Sequence, residues 1–450
     1  MKRKITISFW LLLLSYPGFA QSGHIMQGAG AVNMSMGGAA TAQPTDINGA
    51  LLWNPAAISA FNKKIISVNV GAFFASPELS SSLPAGMMGP GSPAVSGTTK
   101  DDKGVSPMPA LAMVWGKEDS KHTFGLSAFG VSGFGVSFPQ EVNNPMSPSF
   151  NPTNSSNPIN YPQQANGFGH LESNYMVMQI GFAYAYKLSD KVSIGLQPSI
   201  DYHALKLSPN PLSSPSPTKG YPVSDNASSI GFGGQAGIFY DSKSGFKLGV
   251  SYKTTQYFGD LKFNNTYLDG SAAPSNSFSM NYPSILSIGT GYSKNDFDIA
   301  LDYRQVYYES TAGFIDKGWT PTGSVKGFGW SNISIVSFGL QYKGIQKLPV
   351  RLGYTYSSNP IDNKLAFFST PATAIIKNAF QLGLGYEISD ALTINGVFHY
   401  GTSGGSTSGQ LMSPLAVTGS NPYGELPGTT VSYQMTTSMI MFGINYTFSK

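Results

Sequence analysis

The sequence predicts an all-β protein: a 14-stranded antiparallel transmembrane β-barrel with its N-terminal segment folded inside the lumen as a plug, or hatch. Three observations predict it. From Lys64 onward, segments of about ten residues alternate apolar with small or polar side chains, the period of a strand. Charged residues fall in the middle of those segments. The connections between them alternate between tight turns and long loops rich in Pro, Ser, Asn and Gly.

The first residues predict export. Lys2, Arg3 and Lys4 form a positive head, Phe9–Leu14 lies in a short apolar run, and Pro17-Gly18-Phe19-Ala20 ends it with small residues. This is the pattern of a signal peptide over 1–20, cut before Gln21. The apolar run is too short for a helix to cross a hydrocarbon core of about 30 Å. No run of 18 apolar residues follows Ala20, so the mature chain has no candidate spanning helix. Without the three basic residues of the head, 24 basic face 23 acidic residues, or +1, and no basic patch suggests nucleic acid. The chain has no cysteine, which excludes disulfides and thiolate chemistry. Only 11% of residues are charged, well below the roughly 25% of an ordinary soluble domain.

The barrel is expected over 64–450. Candidate strands lie near 64–75, 108–116, 122–137, 174–188, 192–207, 228–241, 245–258, 281–292, 296–309, 333–343, 348–357, 378–388, 391–400 and 431–448. In the last, Phe442, Ile444 and Tyr446 interleave with Gly443, Asn445 and Thr447. Asp201, His203, Lys247, Asp298, Asp302, Arg304, Arg351 and Glu387 take the polar phase. A sandwich would turn these to outside water, whereas a membrane barrel turns them into a wet lumen. Aromatic residues gather near strand ends, as in Tyr354/Tyr356 and Tyr446/Phe448, which suits interfacial girdles. Short turns such as LSDK, SKND and ISDA belong to the periplasmic side, and the long loops to the outside. The last strand resembles the aromatic-ended strand read by the outer-membrane assembly machinery, although two residues follow Phe448. These features place the chain, as a monomer among outer-membrane lipid, in the outer membrane of a Gram-negative type bacterium.

Residues 21–63 do not alternate. Small residues dominate, with short helices plausible around Ala29–Ala42 and Asp46–Leu52. A segment so rich in small residues packs tightly, and the lumen of the barrel that follows is its natural place.

Here the chain resembles the FadL-type outer-membrane transporters of long-chain fatty acids and aromatic hydrocarbons. The resemblance rests on Met34-Ser35-Met36-Gly37-Gly38-Ala39 and on Trp53-Asn54-Pro55-Ala56, whose Asn-Pro-Ala corresponds to the family's hatch signature. Further matches lie at Gly231-Phe232-Gly233, Ala236–Tyr240 and Phe442–Tyr446. The resemblance implies passive uptake of hydrophobic small molecules, with Gly37, Gly38, Asn54, Pro55 and Ala56 building the hatch. It also implies a sideways exit at an inward kink of the third strand. Gly130, Gly133 and Gly135 fall mid-strand there, with Gly133 at the expected centre. The family's outer capture groove maps here to loops whose apolar candidates are Phe263, Tyr267, Leu268 and Phe278. A fatty-acid carboxylate would require a basic residue in the wall. The fifth strand offers His203 and Lys206 rather than an arginine, and Lys247, Arg304 and Arg351 are the other lumen cations. Each has carboxylates such as Asp298, Asp302 or Glu387 to pair with, so a neutral cargo fits better.

Catalytic and cofactor patterns are absent. The five histidines show no metal-ligand spacing, and there is no nucleophile elbow, phosphate loop or dinucleotide fingerprint. Asp201 and His203 share a lumen face, which could suit acid–base work but reads as part of a structural hydrogen-bond network. The expectation is a non-enzymatic transporter without cofactor or metal. A general porin and a barrel that carries a protein partner for secretion remain the alternatives.

Overall fold

Fourteen strands form one antiparallel wall in the computed structural model, which describes residues 23–449; the signal-peptide segment lies outside them. In chain order the strands are Lys64–Leu83, Val105–Trp115, His122–Phe138, Leu171–Lys187, Val192–Ser208, Ala227–Asp241, Phe246–Lys253, Ile285–Lys294, Phe297–Val306, Ile333–Tyr342, Val350–Ser357, Asn378–Glu387, Leu392–Thr402 and Thr430–Thr447. Each pairs with the next, and the first pairs with the last from Ile65↔Thr447 to Ser82↔Thr430. Closure joins the first and last strands, which a bilayer demands because no water there satisfies a free backbone group. Among the described residues no helix is long and apolar enough to cross a membrane.

The two faces sort by chemistry as the alternation requires. Phe182, Leu196, Phe232, Leu352 and Phe442 are all half exposed on the outside, where lipid would cover them. Their neighbours Gln179, Gln197, Gln235, Gln341 and Gln381 are buried inside. Strand length is uneven. The first strand has 20 residues, about 66 Å of extended chain at 3.3 Å per residue, although spanning needs only about ten. It runs past residue 75 because its polar outer end, Glu78–Leu83, pairs both with the last strand and with a short strand, Val95–Lys100. The seventh strand stops at Lys253, short of the expected 258. Gln256 turns away to bridge Tyr282, and Tyr257–Phe258 crosses back onto the sixth strand.

The hatch fills the lumen. Helix α1 (Gly30–Ser35) and helix α2 (Ile47–Trp53) are wholly buried. α1 ends early because Gly37 and Gly38 take left-handed backbone angles, φ +66° and +75°, that glycine adopts without strain. α2 begins at Asp46, whose carboxylate accepts from the Gly49 and Asn48 amides, an N-cap worth about 1 kcal/mol. Pro55–Ala60 then forms a 3-10 turn. Glycines on the inner wall let the hatch approach backbone to backbone. A Cβ on Gly339 would sit 2.5 Å from the Met36 carbonyl oxygen, and one on Gly353 would collide with the Gly37 amide nitrogen.

Gly339→Val should therefore loosen the hatch while the barrel still closes, costing about 1–3 kcal/mol through overpacking. Proteinase K digestion checks this: cleavage within 23–63 should accelerate while the barrel fragment stays intact.

Candidate functional site

The wall is interrupted between the second and third strands. Their pairing runs from Trp115↔Phe124 only to Ala110↔Phe129. Beyond that point the third strand keeps its bonds to the fourth strand, up to Phe138↔Leu171, but leaves the second. The register shifts between Gly130 and Ser132, a bulge at Val131, two residues before Gly133. Gly130 has no close neighbour except Met178, whereas a Cβ on Gly133 would press on the Tyr175 carbonyl oxygen at 3.0 Å. Gly135 lies against the Lys103 ammonium. The outer end of the gap is tied. The Asp102 amide donates to the Ser137 carbonyl (2.9 Å), and the Ser137 amide donates to the Asp101 carboxylate (2.5 Å).

The hatch takes the partner that the third strand has given up. The Gly133 amide donates to the His24 carbonyl (3.1 Å), as does the Ser132 hydroxyl (2.9 Å). The Met26 amide donates to the Val131 carbonyl (3.0 Å). His24 thereby reaches an aromatic box on the inner side of the gap. Its ring centroid lies 4.8 Å from Phe314, 5.4 Å from Tyr308, 5.8 Å from Trp330, 5.9 Å from Tyr282 and 6.0 Å from Tyr175. His24 Nδ1 and the Tyr308 hydroxyl are 2.7 Å apart. Its Nε2 has no partner among the described residues. Burial in this apolar shell lowers its pKa from 6.5 to about 3, so the ring is neutral.

Below the box lies a polar layer that joins hatch to wall. Asp302 accepts from the Ala40 amide (2.9 Å), the Thr41 amide (2.9 Å), the Thr41 hydroxyl (2.8 Å) and Arg304 (2.6 Å). Arg304 also donates to the Gly38 carbonyl (2.7 Å) and stacks 3.8 Å over the Trp53 ring. Lys247 donates to Gln43 and Ser293, at 3.0 and 2.8 Å. Arg351 donates to Gln341 (2.6 Å) and Asn395 (3.1 Å). His203 bonds Ser229 at 2.8 Å and stacks on Phe258 at 3.9 Å. All four candidate lumen contacts of the sequence reading thus have at least one partner within the protein, and His203 Nδ1 and Arg304 Nε have none among the described residues. Glu387 sits exposed at the rim, and Lys206 pairs with Glu172 at 3.0 Å.

Asn54 is the staple of the hatch motif. Its side-chain oxygen accepts from the Ala56 amide (3.1 Å), and its Nδ2 donates to the carbonyls of Thr41 (2.8 Å) and of Ile238 in the sixth strand (3.0 Å). Pro55 sits at the start of the 3-10 turn, where no donor is required. Ala56 is fully buried against Gly195.

The outer-loop candidates separate. Phe263 and Phe278 are buried in a small three-stranded sheet made by Val223–Ser224, Leu261–Thr266 and Ala272–Phe278. Tyr267 is half-buried beneath the Lys219 ammonium, and Leu268 is exposed. An apolar cleft nearby is lined by Phe168, Leu171, Pro211, Phe367 and Phe368. Neither this cleft nor the aromatic box has a periodic signature. The box draws on one strand residue, Tyr175, and on loop residues Tyr282, Tyr308, Phe314 and Trp330, which only the fold brings together.

Residues 158–449 match the model of a family described as outer membrane protein transport protein (OMPP1/FadL/TodX). No curated protein matches the sequence. Solved structures share the fold: the toluene transporter TodX of P. putida (TM-score 0.65, 17% identity, 94% of this chain and 99% of that one) is one. A Pseudomonas aeruginosa FadL homologue (0.67, 15%, 95% and 99%) and the Ralstonia pickettii toluene transporter TbuX (0.61, 16%, 94% and 99%) are two more.

Two outcomes follow from the geometry. Asp302→Ala leaves the Arg304 charge buried without its carboxylate and should cost about 3–5 kcal/mol, read as an earlier unfolding midpoint in detergent. His24 is neutral in place but titrates near 6.5 when detached, so its docking is fully favoured above pH 6.5. Below that, docking should weaken roughly tenfold per pH unit until the ring protonates in place near pH 3. Trp330 fluorescence should follow this change, and His24→Gln should abolish it.

Proposed function

This chain belongs to the outer membrane protein transport protein family (OMPP1/FadL/TodX), and on that premise we propose that it carries uncharged hydrophobic molecules inward through a sideways exit. The observation that carries this reading is the interrupted wall beside an aromatic box. Uptake across the outer membrane needs a shielded passage through the polar headgroup and sugar layer. Once an apolar molecule reaches the gap, release into the hydrocarbon follows its own transfer free energy, about 0.8 kcal/mol per CH₂. No energy source is required.

The cargo class follows from what the lumen has left over. His203, Lys247, Arg304 and Arg351 already hold protein partners. Asp302 already neutralises Arg304, and a neutral aromatic or aliphatic molecule needs none of these polar groups. The aromatic box offers ring faces, and relatives of the same fold are described as toluene transporters. The glycines at 130, 133 and 135 serve the exit by permitting the bulge and close approach of the third strand. Phe263 and Phe278 support the outer loops from within, which leaves Tyr267 and Leu268 as the loop side chains able to meet cargo first.

Toluene uptake by cells producing the protein, paired with conductance in a planar bilayer, tests this reading. The expected result is uptake several-fold above background, with low conductance because the hatch fills the lumen. A large, steady conductance would support a general porin instead. A stable protein partner that co-purifies from native membranes would support a secretion role.

A further inference from the structure

The gap in the wall has two edges, and the second strand's edge carries an unusual pair of residues. That strand reads Val105-Ser106-Pro107-Met108-Pro109-Ala110, with prolines at alternate positions. It pairs with the first strand without interruption from Phe74↔Val105 to Lys64↔Trp115. A proline has no N–H to give to a ladder. The bonds to the first strand must therefore come from Ser106, Met108 and Ala110, and the backbones of Pro107 and Pro109 face the other way, toward the third strand. Continued past Ala110↔Phe129 and allowing for the bulge at Val131, the register would set Pro109 against Gly130 and Pro107 against Gly133. Both places where the wall would next be bonded lack a donor.

The consequence is twofold. An open edge in hydrocarbon normally leaves N–H groups unsatisfied, at several kcal/mol each, and that cost drives it to zip onto any neighbour. The prolines remove those donors, so the open edge costs less and gains less by closing. The level is that of the lipid: Met176, which pairs with Gly133 across the third strand, is 43% exposed on the outer face. The third strand's own edge groups at Val131 and Gly133 are held by His24 and Met26. When the hatch lets go of them, the second strand is the other partner within reach.

We infer that Pro107 and Pro109 are positioning residues that keep the gap open, by denying the third strand two donors along that edge whether or not the hatch is docked. This rests on the reading that cargo leaves sideways.

Pro107→Thr with Pro109→Thr restores both donors and tests the inference in the full mature chain. Hydrogen exchange at the amides of residues 130–136 should slow by tenfold or more, and toluene uptake should fall by a similar factor. Ser106→Val, on a residue whose backbone faces the first strand, should change neither. Unchanged exchange in the double variant overturns the role of the prolines, whatever happens to uptake. Slowed exchange with undiminished uptake leaves that role standing and overturns the sideways exit. If the double variant does not fold, Pro107→Thr and Pro109→Thr taken singly should each slow exchange to a smaller extent, and no slowing in either overturns the inference.

Discussion

A bilayer offers no water, so every backbone donor and acceptor in the wall must find a partner within the protein. Closure of the first strand onto the last meets much of that demand, and the break that bears on the exit lies between the second and third strands. Where the third strand leaves the second, its edge groups are met from inside, by His24 and Met26 of the hatch. The opposite edge has fewer groups to satisfy, because two of its residues are proline. The opening is thus a change of hydrogen-bond partner, and the hatch is one of the two parties to it.

The same constraint accounts for the polar layer under the aromatic box. Charges in a barrel lumen must be paired or hydrated. Here a docked segment rich in small residues pairs them through its own backbone: Asp302 on the Ala40 and Thr41 amides, Arg304 on the Gly38 carbonyl. Inner-wall glycines at 195, 339 and 353 let main chain approach main chain along the same interface. Cations spent in this way are not available for a carboxylate ligand. The proposed cargo preference and the docking of the hatch thus rest on the same side chains.

Much of this was legible in the sequence, and the parts that were not have physical reasons. Period-two alternation marks every lipid-facing strand, since Phe442, Ile444 and Tyr446 must meet hydrocarbon while Gly443 and Asn445 must not. Residues 76–83 escaped because they extend beyond the bilayer and pair there as a polar ribbon, Pro77-Glu78-Leu79-Ser80-Ser81-Ser82-Leu83, without a lipid face. The second strand, expected near 108–116, begins three residues earlier, at Val105, and its outer part carries Pro107 and Pro109. It is in fact a strand whose outer half has an open edge. His24 carries no local signal at all. A lone histidine near the start of a small-residue segment becomes informative only when five rings, four from distant loops and one from the fourth strand, surround it. Gly133 was the expected centre of the bend, whereas the bulge falls at Val131. Glycines widen what a strand can do, but the hatch contact decides where it does it.

The most direct test of a sideways exit is to locate an apolar cargo in the protein. A crystal soaked with 4-bromotoluene, read by the anomalous signal of bromine, would do so. The account predicts bromine beside Tyr175, Phe314 and Trp330, and a second position in the gap between residues 105–109 and 130–136. Bromine that instead runs past α1 and α2 toward the periplasmic turns, with none in the gap, would contradict it.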